Sequence, residues 1–99
     1  MDKAEAIRLA KSYKELITPF FPDNKIYLYG SYSTDKQKED SDIDIAVIVN
    51  SFSKNYFDEV PLLWKIRRKV STLIEPILLS SEDKNSPIYK EVIKNGILI

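Results

Sequence analysis

Three acids and one turn carry the chemical promise of this chain. Asp42 and Asp44 stand two residues apart at the head of an apolar run, DIDIAVIV. Ten residues before them lies Gly30-Ser31, and Glu75 follows 31 residues after Asp44. In a strand, residues two apart point to the same face, so Asp42 and Asp44 share one. Two like charges side by side repel, and a divalent cation turns that repulsion into attraction. Glycine lets the backbone approach a ligand closely. A helical turn opening at Ser31 would offer free N–H groups to a phosphate. A third carboxylate at the same end of the sheet would suit phosphoryl or nucleotidyl transfer around one or two Mg²⁺ ions, roughly 4 Å apart if two. Glu75 is then the base or a second metal ligand. The plainer alternative has Asp42 capping a strand end, Asp44 in water and Glu75 paired with a lysine.

The rest of the composition narrows the chemistry. The chain has 99 residues, no Cys and no His. Disulfides, thiolate metal sites and Ser-His or Cys-His catalysis are therefore excluded, and a metal must be held by oxygen. Fifteen basic residues balance fifteen acidic ones, which argues against long-range attraction to nucleic acid or an anionic membrane. The charged N-terminus does not read as a secretory signal, and no apolar run reaches membrane-spanning length. The expectation is one cytoplasmic domain covering residues 1–99.

Positioning these residues requires a sheet. Apolar spacing after Asp2 and Glu5, a capping-box pair, predicts a helix over 3–18, ended by Pro19 and Pro22. Residues 25–29 read as a first strand and 31–35 as one helical turn. Residues 42–49 read as a central strand, apolar on both faces after its two acids. Residues 50–57 read as a loop. Asp58 is the expected N-cap of a helix reaching residue 72, with Lys65, Arg67, Arg68 and Lys69 on a solvated face. Strand 73–79 contains Pro76, which points to a sheet edge. Ser86-Pro87 opens a helix over 87–94 that Gly96 ends as the C′ residue, leaving a short apolar tail. Tyr27, Tyr29 and Tyr32 could stack on a base, although core packing suits them better. The expected fold is thus α/β, with chain order α-β-α-β-α-β-α. Its small mixed sheet has three main strands in the order 1-2-3, the first pair antiparallel and the second parallel.

Gly30, Ser31, Asp42, Asp44 and the later acid Glu75 together resemble the signature of the nucleotidyltransferases of the DNA polymerase β superfamily. The closing SPIYKEVIKNGILI is similar to the end of that superfamily's minimal nucleotidyltransferase (MNT) domains, and the resemblance spans nearly the whole chain. It implies the nucleotidyltransferase fold, with Asp42, Asp44 and Glu75 as catalytic and Mg²⁺-binding residues. Gly30 and Ser31 would then be nucleotide-binding. Two departures stand out. Thr34 and Asp35 occupy places where minimal members commonly carry Arg or Lys and then Gly, leaving Lys36 or Lys38 as substitutes. Glu75 stands where the family usually has Asp. Stand-alone members resemble the antitoxins of HEPN–MNT toxin–antitoxin pairs, some of which transfer AMP from ATP to a tyrosine of the HEPN toxin. The implied partner is therefore a helical HEPN protein, in a homo- or hetero-oligomer, since 99 residues leave no room for an acceptor domain. Two alternatives stay open: a module that neutralises its partner by contact alone, and a catalytic subunit acting on a small molecule.

Overall fold

The computed structural model describes residues 1–52 and 56–99. Helix α1 spans Lys3–Ile17 and strand β1 Lys25–Tyr29. A 3₁₀ turn at Gly30–Tyr32 precedes strand β2, Ile43–Val49. Helix α2, Tyr56–Ile66, runs into a 3₁₀ turn at Arg67–Lys69, followed by strand β3, Ile74–Ser80. A further 3₁₀ turn at Ser81–Asp83, helix α3 (Pro87–Asn95) and strand β4 (Ile97–Leu98) complete the chain.

Local chemistry explains most of the boundaries. The Asp2 carboxylate accepts from the Glu5 amide at 2.8 Å and starts α1. The reciprocal half of the capping box is not used, because Glu5 pairs with Arg8. The Ser86 hydroxyl accepts from the Tyr89 amide, with Pro87 at the first helical position of α3. Gly96 ends α3 in extended backbone (φ −75°) rather than in the left-handed form expected of a C′ glycine. It is small for a different reason: a Cβ there would strike the Val92 carbonyl and crowd Tyr27.

The sheet order is β3-β2-β1-β4. Strand β1 is antiparallel to both β2 and β4, and β2 is parallel to β3. Pro76 sits in an edge strand as expected. The apolar tail is more than a tail: Ile97 and Leu98 pair with Leu28 and Tyr27 and add a fourth strand. The helix expected over 58–72 is also revised. It begins at Tyr56, so Asp58 lies inside its first turn instead of capping it, and its α-helical part stops at Ile66. Of the expected loop 50–57, Tyr56 and Phe57 are helical, and residues 53–55 lie outside the described residues.

Alternation along β2 divides the interior in two. Ile43, Ile45, Val47 and Val49 point to the main core with Ile26, Leu28, Ile74 and Leu78, under α1 and α2. The opposite face carries a smaller cluster, Ala46, Ile48, Leu79 and Val92, flanked by half-buried Tyr27, Tyr29 and Ile77. Helix α3 supplies Val92 and Tyr89 to this second face. Asp44 and Glu75 belong to the second face by the same alternation.

Candidate functional site

The register sets the site. Asp44 pairs with Tyr29 on one side and with Glu75 on the other. Neighbouring strands lie about 5 Å apart, so the two acids stand side by side on one face. Parallel pairing of β2 with β3 carries Glu75 to the Asp44 end, and the antiparallel return from β1 brings Gly30 there too. Asp42 lies one residue before the strand and is exposed, while Asp44 and Glu75 are half-buried.

Gly30 is required by its surroundings. Its φ of +74° is left-handed, and a Cβ there would collide with Oδ2 of Asp44. The missing side chain is therefore the space that the Asp44 carboxylate occupies. Beyond it, the Gly30 carbonyl gathers donors from Ser33 and Thr34: both amides at 3.2 Å and both hydroxyls at 3.0 and 3.1 Å. Ser31 is half-buried, and its carbonyl accepts from the Lys36 amide at 2.9 Å. Asp35 has φ 58°, so it fills a left-handed position of the kind glycine favours and aspartate tolerates. Its carboxylate pairs with Lys3 at 3.1 Å.

The electrostatics follow from burial and like charge. Asp44 is pushed up to about 6, first by burial, then by Glu75 and by Asp42. Burial likewise raises Tyr29 to about 12, and the Asp44 and Glu75 carboxylates reinforce the shift. Among the described residues, none of the three acids has an ion-pair partner. An all-carboxylate donor set with uncompensated charge fits a hard divalent ion in its chemistry. As the side chains lie, no three acids among the described residues are gathered closely enough to hold one.

Two features near this corner leave little trace in the sequence. Tyr29 flanks Asp44 directly, and the register that puts it there is a tertiary fact. Tyr32 packs in the main core, the reading preferred for it above, fully buried and with no partner for its hydroxyl among the described residues. Arg67, expected on a solvated face, instead donates to the carbonyls of Thr72 and Ile74 and lies 4.6 Å from the centre of the Trp64 ring. It thereby ties the end of α2 to the residue just before Glu75. A basic residue whose bonding partners are backbone atoms across a turn leaves no periodic trace in a sequence.

With the fold and this corner established, comparison with known proteins gives the class. The polymerase β nucleotidyltransferase family matches residues 14–99. The chain belongs to that family, and its reaction class is nucleotidyl transfer. A candidate protein adenylyltransferase of Methanocaldococcus jannaschii is 29% identical over 97 residues, covering 95% of this chain and 89% of that protein. Among solved structures, a candidate nucleotidyltransferase of Sulfolobus solfataricus superposes with a TM-score of 0.73 at 23% identity, over 97% of this chain and 80% of the other. A mutant MntA–HpeT toxin–antitoxin gives 0.51 at 21% identity, and a toxin–antitoxin with AMP-PNP gives 0.52 at 23%. Each of these two is matched over 99% of this chain and 72% of its own. The fold is shared with all three structures. No helix among the described residues is long and apolar enough to cross a membrane.

Proposed function

We propose that this chain transfers AMP from ATP to a tyrosine hydroxyl of a partner protein, a HEPN-type toxin, as an antitoxin. The observation that carries this reading is the register at one sheet corner: Asp44 held between Glu75 and the Tyr29-Gly30 turn. The candidate adenylyltransferase relative and the toxin–antitoxin structures support the acceptor class. AMP-PNP in one of those structures supports a nucleoside triphosphate as donor.

Each residue then has a task. The turn at Gly30-Ser31 receives the triphosphate, because Gly30 lets this backbone lie directly against the Asp44 carboxylate. Asp42 and Asp44 would hold Mg²⁺, with Glu75 as the third acid. When bound, the ion would neutralise phosphate charge and polarise the phosphoryl oxygens. Glu75 accepts the proton of the attacking hydroxyl. The acceptor oxygen bonds to the α-phosphorus, the bond from that phosphorus to the bridging oxygen breaks, and pyrophosphate leaves. Half-burial of Asp44 and Glu75 strengthens their attraction for a cation, and that cation would offset the charge of the reacting phosphate.

The test is to incubate the chain with ATP, Mg²⁺ and the protein encoded by the adjacent gene, then weigh and map the products. One AMP added to a tyrosine of that protein, and lost when the tyrosine becomes phenylalanine, is the expected result. An unmodified partner would refute the reading.

A second reading, neutralisation by contact alone, has its own observation. The Ser33 and Thr34 hydroxyls are turned onto the Gly30 carbonyl, and residues 31–35 contain no basic side chain to meet a triphosphate. Neutralisation that survives an Asp42→Ala, Asp44→Ala double variant would favour it.

A further inference from the structure

The face of the molecule away from Asp44 carries a second feature. Helices α1 and α2 pack against the main core, and their outer edges leave a groove between them. Two adjoining cavities form it, of about 390 and about 220 Å³, both lined by Leu16 and Lys69. Its floor is apolar: Leu9 and Leu16 come from α1, Phe20 from just beyond it, and Leu62 and Ile66 from α2. Phe20 is 57% exposed and Leu16 38%. Large side chains left this open usually mark a contact surface when they adjoin one another in a groove. Along α1, Leu9 to Leu16 spans on the order of 10 Å, or about two helical turns, and Phe20 extends the floor just beyond the helix end.

The rims differ in charge. On the α2 side stand Lys65 and Lys69, with no ion-pair partner among the described residues. On the α1 side stand Ser12 and Glu15, and Arg8 there is already paired with Glu5. The occupant that fits is therefore apolar along one stripe and acidic along the flank that meets α2. The chain's own exposed amphipathic helix, α3, has the wrong charge, carrying Lys90 and Lys94.

We propose that this groove docks an amphipathic helix of a partner protein. The helix seats its apolar stripe on Leu16, Phe20, Leu62 and Ile66 and its acidic flank on Lys65 and Lys69. Because the groove lies across the sheet from Asp44, docking leaves the acids free. It holds a partner whether or not transfer occurs, so the inference does not depend on the proposed reaction.

The test uses two synthetic helical peptides with the same leucine stripe, one bearing glutamates along one flank and the other lysines. The full-length chain should bind the glutamate peptide at least ~10-fold more tightly than the lysine peptide, in line with the cost of like-charge juxtaposition at an interface. A Lys65→Glu, Lys69→Glu double variant should reverse that preference, and Leu16→Arg should abolish binding of both. All three positions are exposed, and circular dichroism checks that each variant is folded. Equal affinity for the two peptides, no binding of either, or a preference unmoved by charge reversal would overturn the proposal. So would self-association of the chain that Leu16→Arg abolishes, since that would assign the groove to a second copy.

Discussion

The two faces of the sheet are made by the same strands under opposite rules. One face of β2 presents Ile43, Ile45, Val47 and Val49 to α1 and α2 and is sealed. The other presents Asp44, then Ala46 and Ile48, and is only partly covered by α3. The sealed face supplies the stability that lets the open face hold two neighbouring acids with no ion-pair partner among the described residues. The difference teaches that Asp44 and Glu75 are a cost to the fold, which the apolar face offsets.

That contrast can be tested by substitution, beginning with its strongest expected effect. Gly30→Ala adds a methyl where Oδ2 of Asp44 lies and forces a left-handed φ on alanine. Displacing the acid by about an ångström should lower transfer by ~100-fold. Backbone strain of this kind should cost roughly 1–3 kcal/mol in urea unfolding. A Gly30→Ala protein with normal activity would separate the turn from the site.

Next come the two faces themselves. Ile45→Ala on the sealed face should cost about 2–5 kcal/mol in chemical denaturation. Ile77→Ala on the half-buried face should cost about 1 kcal/mol or less, because less area leaves contact. Equal losses would erase the distinction between the faces.

The open face should also betray itself through pH. Asp44 binds its proton more tightly folded than unfolded, being raised to about 6 from the usual 3.8. Between those values the folded state holds more protons, so stability falls as pH rises from about 4 through about 6. Asp44→Asn removes that loss. With EDTA present to strip metal, it should stabilise the chain at pH 8 and leave it nearly unchanged at pH 4. Discounted for solvent around a half-buried carboxyl, the gain is about 1 kcal/mol, or ~4–8 °C in Tm. A destabilised Asn variant at pH 8 would mean that Asp44 has a favourable partner.

The last effect is a local one at the start of α1. Asp2→Ala removes the cap of α1 and should cost about 1 kcal/mol in thermal unfolding, with transfer activity unchanged.

Much of this contrast was legible in the sequence. The apolar run after Asp42 identified the central strand, Pro76 placed β3 at an edge, and Gly30-Ser31 marked the turn. Glu75 was found by topology, since a parallel β3 must bring it to Asp44. What escaped was set by contacts that leave no periodic pattern in the chain. Strand β4 has two residues, too few for any period, and exists because β1 offers it an edge. The α-helical part of α2 stops short of the expected end because Arg67 turns back to the carbonyls of Thr72 and Ile74. Asp35 stands where the resemblance expects glycine; its backbone adopts a left-handed conformation of the kind glycine favours, and its charge finds Lys3.

The most direct measurement follows label from ATP into the partner protein, carried either on the α-phosphate or on the γ-phosphate, with the wild-type chain and with Asp44→Asn. The expected result is α-label on the partner, no γ-label, and a loss of at least ~100-fold in Asp44→Asn. Transfer of γ-label, or α-label transferred equally well without the Asp44 carboxylate, would contradict it.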